Sequence, residues 1–361
     1  MTGPRLLIGA GGTGGHLIPA LAVAEAFRSL CPEADILFAG AGRPAEAVIL
    51  DPGGWARVVL PARGFKGGTI SGKAGAGLTA LKGFFQALRL IRRFRPHLFY
   101  GVGGYVSGPV GLAAWLTGRP VVIHEQNSRP GLSNRLLARV AREIFLGFPG
   151  AGEYFPAGKT VATGNPLRPA FTELLDHKVD YRSGQKLVLL IMGGSQGASR
   201  INLAAMELAA KLAGEGRDFE IIHQTGASDG DVTGTFYDRL GIKHETASFF
   251  HDPAGLYRKA HLGLMRAGAL TVTELAAAGL PAILVPLPAA ADNHQLVNAR
   301  TLAEAGGARI LMEDELEGLP AMVTDLMDHA QKLNRMSGAA RDLVNPLAAR
   351  QMAERLLAWI G

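Results

Sequence analysis

An intramolecular disulfide is closed to this chain. Its 361 residues contain one cysteine, Cys31, so no intramolecular bridge can form, and the thiol reads as a packing residue and not a nucleophile. A cytoplasmic setting is expected. No uncharged apolar run reaches the ~18–20 residues of a spanning helix. The opening MTGPRLLIGAGG carries a single basic residue before a glycine-rich turn, which predicts a first strand and not a leader. Acidic residues are also missing where they matter: none lies between Asp51 and Glu125, while ten Lys and Arg fall in that window. Residues 1–164 hold 18 Lys and Arg against 8 Asp and Glu, and residues 165–361 hold 19 against 23. The net charge of +6 therefore hides a basic first half, and an anion-attracting face is expected there alone.

Glycine and apolar side chains are plentiful. The 48 glycines far exceed the usual ~7% and cluster after apolar runs. At 48% hydrophobic and 19% charged residues, a chain of this length builds two cores more readily than one. Residues 5–10 read as a buried strand that enters Gly11-Gly12-Thr13-Gly14-Gly15-His16, then a helix over 19–29 with Pro19 in its first turn. Further strands are expected at 36–39, 98–102 and 121–124. The stretch 149–169 is rich in glycine and proline and marks a domain junction. The opening theme then returns: a strand at 186–192, Gly193-Gly194-Ser195-Gln196-Gly197, and a helix over 198–213. Strands alternating with helices imply parallel sheets covered on both faces. Two Rossmann-like domains facing across a cleft are expected, 1–164 and 165–345, with residues 346–361 a last helix that packs back on the first.

Gly9-Ala10-Gly11-Gly12-Thr13-Gly14 satisfies GxGxxG, which says only that backbone N–H groups can approach an anion at a helix N-terminus. A nicotinamide enzyme would also need an acid closing the second strand. Asp35 precedes that strand, and Ala39-Gly40 ends it, so the fingerprint is incomplete. His16 stands at the mouth of the first helix, either as a local cap or as a base. The dipole there disfavours its cation and leaves an imidazole able to take a proton.

Residues 263–279, GLMRAGALTVTELAAAG, carry the most specific signal. A glycine loop opens a helix whose N–H groups, with the Thr271 and Thr273 hydroxyls, suit a phosphate. Glu274 could accept from two ribose hydroxyls at once. Asp292-Asn293-His294-Gln295 with Asn298, and His124-Glu125-Gln126-Asn127, are polar clusters at strand ends. Asp229-Gly230-Asp231 has metal-binding spacing but sits among turn residues and reads as a solvated turn. Residues 77–95 form an amphipathic helix with Lys82, Arg89, Arg92, Arg93 and Arg95. Its apolar positions Leu78, Leu81, Phe84, Phe85, Leu88, Ile91 and Phe94 span a wider arc than one buried stripe needs, which fits anionic headgroups. No nucleic-acid reader motif accompanies the charge.

Laid end to end, the motifs GGTGGH (11–16), GVGGYVSGP (101–109), HEQNSRPGLSNR (124–135), GNPLR (164–168), GGSQGA (193–198), RAGALTVTELAAAGLPAILVP (266–286) and HQLVNA (294–299) resemble the MurG family. These are the UDP-N-acetylglucosamine–N-acetylmuramyl-(pentapeptide) pyrophosphoryl-undecaprenol N-acetylglucosamine transferases of peptidoglycan synthesis. The resemblance implies an α/β GT-B fold. It implies inverting transfer of N-acetylglucosamine from UDP to the muramyl 4-hydroxyl of lipid I, giving lipid II. It places Ser195 and Arg168 near the diphosphate, the Phe250 backbone at uracil, Ala269, Leu270, Thr271, Val272 and Thr273 around the phosphate, Glu274 on the ribose and Gln295 on the sugar. Thr13, Gly14, Gly15, His16, Tyr105 and Asn127 would line the acceptor side, with His16 the base candidate. Leu78, Leu81, Lys82, Phe85, Arg89, Arg92 and Arg93 would meet an anionic membrane. The family uses no carboxylate pair for metal, so no cofactor is expected. Its members act at the cytoplasmic face of the inner membrane, beside other cell-wall and division proteins.

Met265 and His294 depart from common family residues without removing a proposed ligand. By this reading a base deprotonates the acceptor, UDP leaves against helix N-termini and Arg168, and domain closure joins the substrates. A GT-B transferase with another lipid acceptor, a nicotinamide oxidoreductase and a non-catalytic sugar-nucleotide sensor are the rivals.

Overall fold

The structure is a computed structural model, and it describes residues 3–11, 14–62, 70–194, 198–227, 229–288 and 293–360. Thr13, Ser195 and Asp292, all singled out above, lie outside the described residues. The chain divides into two compact units, Met1–Arg168 with Asn345–Gly361, and Pro169–Val344.

The first unit runs β1 (Arg5–Gly9), α1 (Gly14–Leu30), β2 (Asp35–Gly40), α2 (Pro44–Leu50), β3 (Ala56–Val59), α3 (Ile70–Phe94), β4 (Leu98–Gly101), α4 (Gly104–Leu116), β5 (Val121–Glu125), α5 (Leu132–Leu137), β6 (Glu143–Leu146) and β7 (Thr160–Ala162). The seven strands pair in parallel in the order β3-β2-β1-β4-β5-β6-β7. The order reverses beside β1, so the loops after β1 and β4 open away from each other and leave room for a ligand. Successive residues of β1 point to opposite faces. Leu6 and Ile8 join Phe27, Phe38, Tyr100 and Phe145 on one side, while Leu7 joins Ile91, Phe99, Val110 and Ile144 on the other. Each fully buried side chain of this size contributes about 1.5–3 kcal/mol.

The second unit runs α6 (Pro169–Thr172), β8 (Leu187–Met192), α7 (Ser199–Gly214), β9 (Phe219–Gln224), α8 (Gly230–Arg239), β10 (His244–Ala247), α9 (Pro253–Lys259), β11 (Leu262–Met265), α10 (Ala269–Ala278), β12 (Ala282–Leu284), α11 (His294–Glu304), β13 (Ala308–Ile310), α12 (Leu319–Asp328) and α13 (Ala330–Ala339). Its six strands pair in parallel in the order β10-β9-β8-β11-β12-β13. The last helix, α14 (Ala348–Ala358), belongs to the first unit: Met352, Ala353 and Leu356 complete its core. Glu143 at the start of β6 holds the helix in place, accepting from Arg355 Nε at 2.8 Å and Trp359 Nε1 at 3.1 Å.

Two local expectations are corrected. The helix expected over 19–29 begins at Gly14, so Pro19 is an interior residue and not part of the first turn. A proline ring crowds the carbonyl four residues back, and here that carbonyl belongs to Gly15, so the strain falls on the helix's own start. The turn at Asp229 is more than a solvated one. Asp229 Oδ2 accepts from the buried Asn202 at 2.8 Å, and its carbonyl accepts from the Thr233 hydroxyl at 2.8 Å. Asp231 beside it is exposed.

Candidate functional site

In the first unit the polar residues converge where β1, β4 and β5 end. Gly103 and Gly104 open α4 with φ of 95° and 77°, values that strain any side chain. Their missing side chains also make room: a Cβ on Gly103 would sit 3.1 Å from His16 Cε1 and 3.7 Å from Asn134 Nδ2, and one on Gly104 would meet the Gly11 carbonyl at 2.5 Å. The half-buried His16 ring, in the first turn of α1, therefore lies against the backbone of the α4 start. Gly14 and Gly15 precede it in that turn, and Tyr105, 47% exposed, follows in the first turn of α4.

A buried carboxylate organises the floor of this corner. Glu125 Oε1 accepts from the Asn127 backbone at 3.0 Å and its Nδ2 at 3.1 Å. Oε2 accepts from Gly131 N at 3.1 Å and Asn134 Nδ2 at 2.9 Å. Four N–H groups thus hold the loop that carries Asn127 in place. His124 is wholly buried beneath it, and burial pushes its pKa down to about 3. A hydrogen bond with Asn165 opposes burial less strongly, and the nearby His16 ring adds a still smaller push downward. Its imidazole is neutral and part of the frame. Glu46 does a similar job at the end of β2, accepting from Ala41 N at 2.9 Å and Gly42 N at 2.8 Å.

In the second unit the corner lies at the ends of β8, β9, β11 and β12. Gly268, extended, precedes α10, and no side chain caps that helix. The first N–H groups of a helix have no partner within it and carry the positive end of its dipole. Ala269, Leu270, Thr271, Val272 and Thr273 form the opening turns, with Glu274 7% exposed just behind. The Thr273 hydroxyl donates to the Ala269 carbonyl at 2.9 Å, so it faces the helix, and Thr271 is the hydroxyl nearer Gly268. Gln295, in the first turn of α11, accepts from Leu287 N at 3.0 Å, and Asn298 donates to the Ala267 carbonyl at 3.2 Å. The starts of α10 and α11 are thereby tied together. Phe250, between β10 and α9, donates its N–H to Gln224 Oε1 at 3.1 Å. Arg168 ends the first unit.

Two family models match. The N-terminal domain of glycosyltransferase family 28 covers residues 6–146, and its C-terminal domain covers residues 188–356. This chain belongs to glycosyltransferase family 28. Within the family it is 39% identical over 352 residues to the UDP-N-acetylglucosamine--N-acetylmuramyl-(pentapeptide) pyrophosphoryl-undecaprenol N-acetylglucosamine transferase of Anaeromyxobacter dehalogenans, spanning 97% of this chain and 91% of that one. It is 40% identical over 342 residues to the enzyme of the same name from Syntrophotalea carbinolica, 94% of each. The crystal structure of Acinetobacter baumannii MurG superposes with a TM-score of 0.79 at 32% identity, covering 98% of this chain and 100% of that one. The family and the GT-B fold class expected from the motifs are both borne out.

Three residues of this family 28 chain escaped the sequence reading. Arg266, at the end of β11, donates to the Val285 carbonyl at 3.2 Å and pairs with Glu313, whose side chain is 17% exposed. Asn202 in α7 donates to the Thr225 carbonyl at 2.9 Å and meets the buried His223 ring at 3.0 Å. Burial lowers the His223 pKa to about 4. Gln224 links two loops. A charge or amide set among apolar neighbours was the only available signal for all three.

Proposed function

We propose that this family 28 glycosyltransferase moves N-acetylglucosamine from UDP-N-acetylglucosamine to the 4-hydroxyl of the muramyl sugar of undecaprenyl-pyrophosphoryl-N-acetylmuramyl-pentapeptide (lipid I), giving lipid II. The observation that carries the proposal is the uncapped start of α10 with Glu274 buried one turn inside it, in a chain 39% identical to a transferase so named. The α10 N–H groups suit a diphosphate, and the Glu274 carboxylate suits the paired hydroxyls of a ribose. Gln295 at the start of α11 serves the sugar, Phe250 the base, and Ser195 and Arg168 the diphosphate.

The reaction is a single displacement. His16, or a water it orders, takes the proton of the acceptor hydroxyl, whose oxygen attacks the anomeric carbon as the bond to UDP breaks. The glycosidic bond forms with inversion. Charge on the leaving diphosphate meets the helix N-terminus and Arg168. No resident cofactor takes part. Thr13, Gly14, Gly15, Tyr105 and Asn127 hold the acceptor.

The acceptor is a lipid, and α3 fits a membrane-facing role. Ala87 and Ile91 turn into the core, while Leu78, Leu81 and Phe85 are 57%, 51% and 56% exposed on another side. Lys82, Arg89, Arg92 and Arg93 are exposed with them. Among the described residues no helix is long and apolar enough to cross a membrane. The exposed apolar and basic side chains of α3 support our reading of peripheral binding at the cytoplasmic face of an inner membrane.

Purified protein given radiolabelled UDP-N-acetylglucosamine and a soluble lipid I analogue should transfer label to the lipid. His16→Ala and Glu274→Ala should each suppress that transfer. A protein that binds the nucleotide sugar yet transfers nothing to this acceptor contradicts the proposal and points to another lipid.

A further inference from the structure

An open hollow of about 540 Å³ lies beside α5, lined by Arg129, Arg135, Ala138, Arg139, Tyr154 and Pro156. Three guanidiniums and, among the described residues, no carboxylate line it. Ala138 and Arg139 follow Arg135 at three and four residues, so one side of the helical turn forms a wall. Lys159 adds charge behind that wall, donating to the Arg139 carbonyl at 3.1 Å. Arg129 is half-buried; its Nε donates to the Tyr154 hydroxyl at 3.2 Å, and its guanidinium sits 5.8 Å from the ring centre. One arginine is thus held before any ligand arrives, while Arg135 and Arg139 are exposed. Arg129 lies in the loop after β5 and Tyr154 in the turn after β6. Both strands run parallel with β1 and β4, so these segments open at the carboxyl end of the sheet, as the acceptor corner does.

We propose that this hollow binds a carboxylate of the acceptor's peptide, an inference that rests on the acceptor reading above. Arg129 is two residues beyond Asn127, within about 7 Å of backbone. A muramyl sugar carries its peptide on the lactyl ether at O3, beside the reacting 4-hydroxyl, and five extended residues reach about 17 Å. That arm is long enough to enter the hollow while the sugar stays against Asn127. The two places are also locked together. The Glu125 carboxylate that fixes Asn127 accepts from Gly131 N and Asn134 Nδ2, just ahead of Arg135. Guanidiniums pair with carboxylates through two parallel N–H groups. Having accepted from Arg129, the Tyr154 hydroxyl keeps its own proton to donate. A lipid headgroup is the competing occupant, because Leu132 and Leu136 are exposed on the same helix. Reach and the shared Glu125 clamp favour the peptide.

Soluble acceptor analogues with their peptide carboxylates free or amidated separate the two, in an assay that contains no membrane. Wild-type protein should show a KM about tenfold lower for the free-carboxylate analogue, the worth of two partly screened ion pairs. Added salt should shrink that preference. Arg135→Gln with Arg139→Gln should lose it, whereas a merely structural role would shift both analogues equally and leave it intact. Where thermal melts show the double variant unfolded, Arg139→Gln replaces it, and the preference should fall about threefold. Wild-type protein that transfers to both analogues with equal KM overturns the inference alone. So does a folded variant that keeps the preference, and if that variant also loses co-sedimentation with anionic vesicles, the hollow belongs to headgroups. Wild-type protein that transfers to neither analogue overturns the acceptor reading, and this inference with it.

Discussion

The two units share one strand plan but hold their polar corners in opposite ways. In the first, a carboxylate with four N–H donors and a neutral buried histidine build the floor, and glycines bring backbone against His16. In the second, a guanidinium and a carboxylate pair directly, Arg266 with Glu313, and amides tie the loops together. Their surfaces differ too. Large apolar side chains stay exposed on the consecutive helices α3, α4 and α5, among them Leu81, Phe85, Trp115, Leu116, Leu132 and Leu136. In the second unit the exposed ones, such as Leu203, Val232 and Leu240, stand apart along the chain. On the proposed reading one topology serves two jobs: a frame for a lipid-borne acceptor, and a cradle for a nucleotide.

The largest effect should separate the corners kinetically. His16→Ala should lower kcat by roughly 10²–10⁴-fold, the worth of a general base, with the donor KM little changed. Glu274→Ala should act chiefly on the donor KM, about tenfold or more for lost charged hydrogen bonds. Steady-state kinetics against each substrate in turn checks both, and exchanged signatures would break the division of labour.

Stability offers the next contrast. Glu125→Ala strands four N–H groups, that of Asn134 buried, and should cost roughly 3–5 kcal/mol by urea denaturation. Arg266→Met should cost less than that, because Glu313 keeps Arg200 at 3.8 Å as a second cation. Equal losses would mean the first corner is no more dependent on its carboxylate than the second.

Membrane binding should follow the surface contrast. Leu78→Ser, Leu81→Ser and Phe85→Ser together should weaken co-sedimentation with anionic vesicles at least tenfold, since each exposed side chain contributes up to about 1.5 kcal/mol when buried in lipid. Leu203→Ser with Val232→Ser should leave it unchanged. Added salt should weaken the wild type through Arg89, Arg92 and Arg93.

The smallest effect near neutral pH concerns the two buried histidines, His124 and His223, whose pKa values are pushed down to about 3 and about 4. Unfolded histidine takes its proton near ~6.5. Stability is therefore complete above that pH and lost as pH falls through it toward the folded values, where the unfolded chain binds more protons. His223→Gln should flatten that slope in thermal melts between pH 7 and 4. An unchanged slope would show that the histidine is not held neutral.

The central strands were legible because burial on both faces makes them continuous apolar runs: β1, β4, β5 and β8 each fall within a residue of expectation. The edge strand β3, largely exposed, carries no such run and was not read. The start of α10 was legible because glycine, threonine and acid fall within two turns. Gln224 was not, since its role depends on two loops that only the fold brings to it. Glu125 was seen as one member of a polar cluster, and only the geometry shows it accepting from four donors.

Hydrogen exchange with and without UDP tests the division of labour most directly. The account predicts slowed exchange in peptides covering 187–202, 249–252 and 266–275, with 9–16 and 103–107 unchanged until an acceptor analogue is added. Protection by UDP centred on 9–16 and 103–107, with 266–275 unaffected, would contradict it.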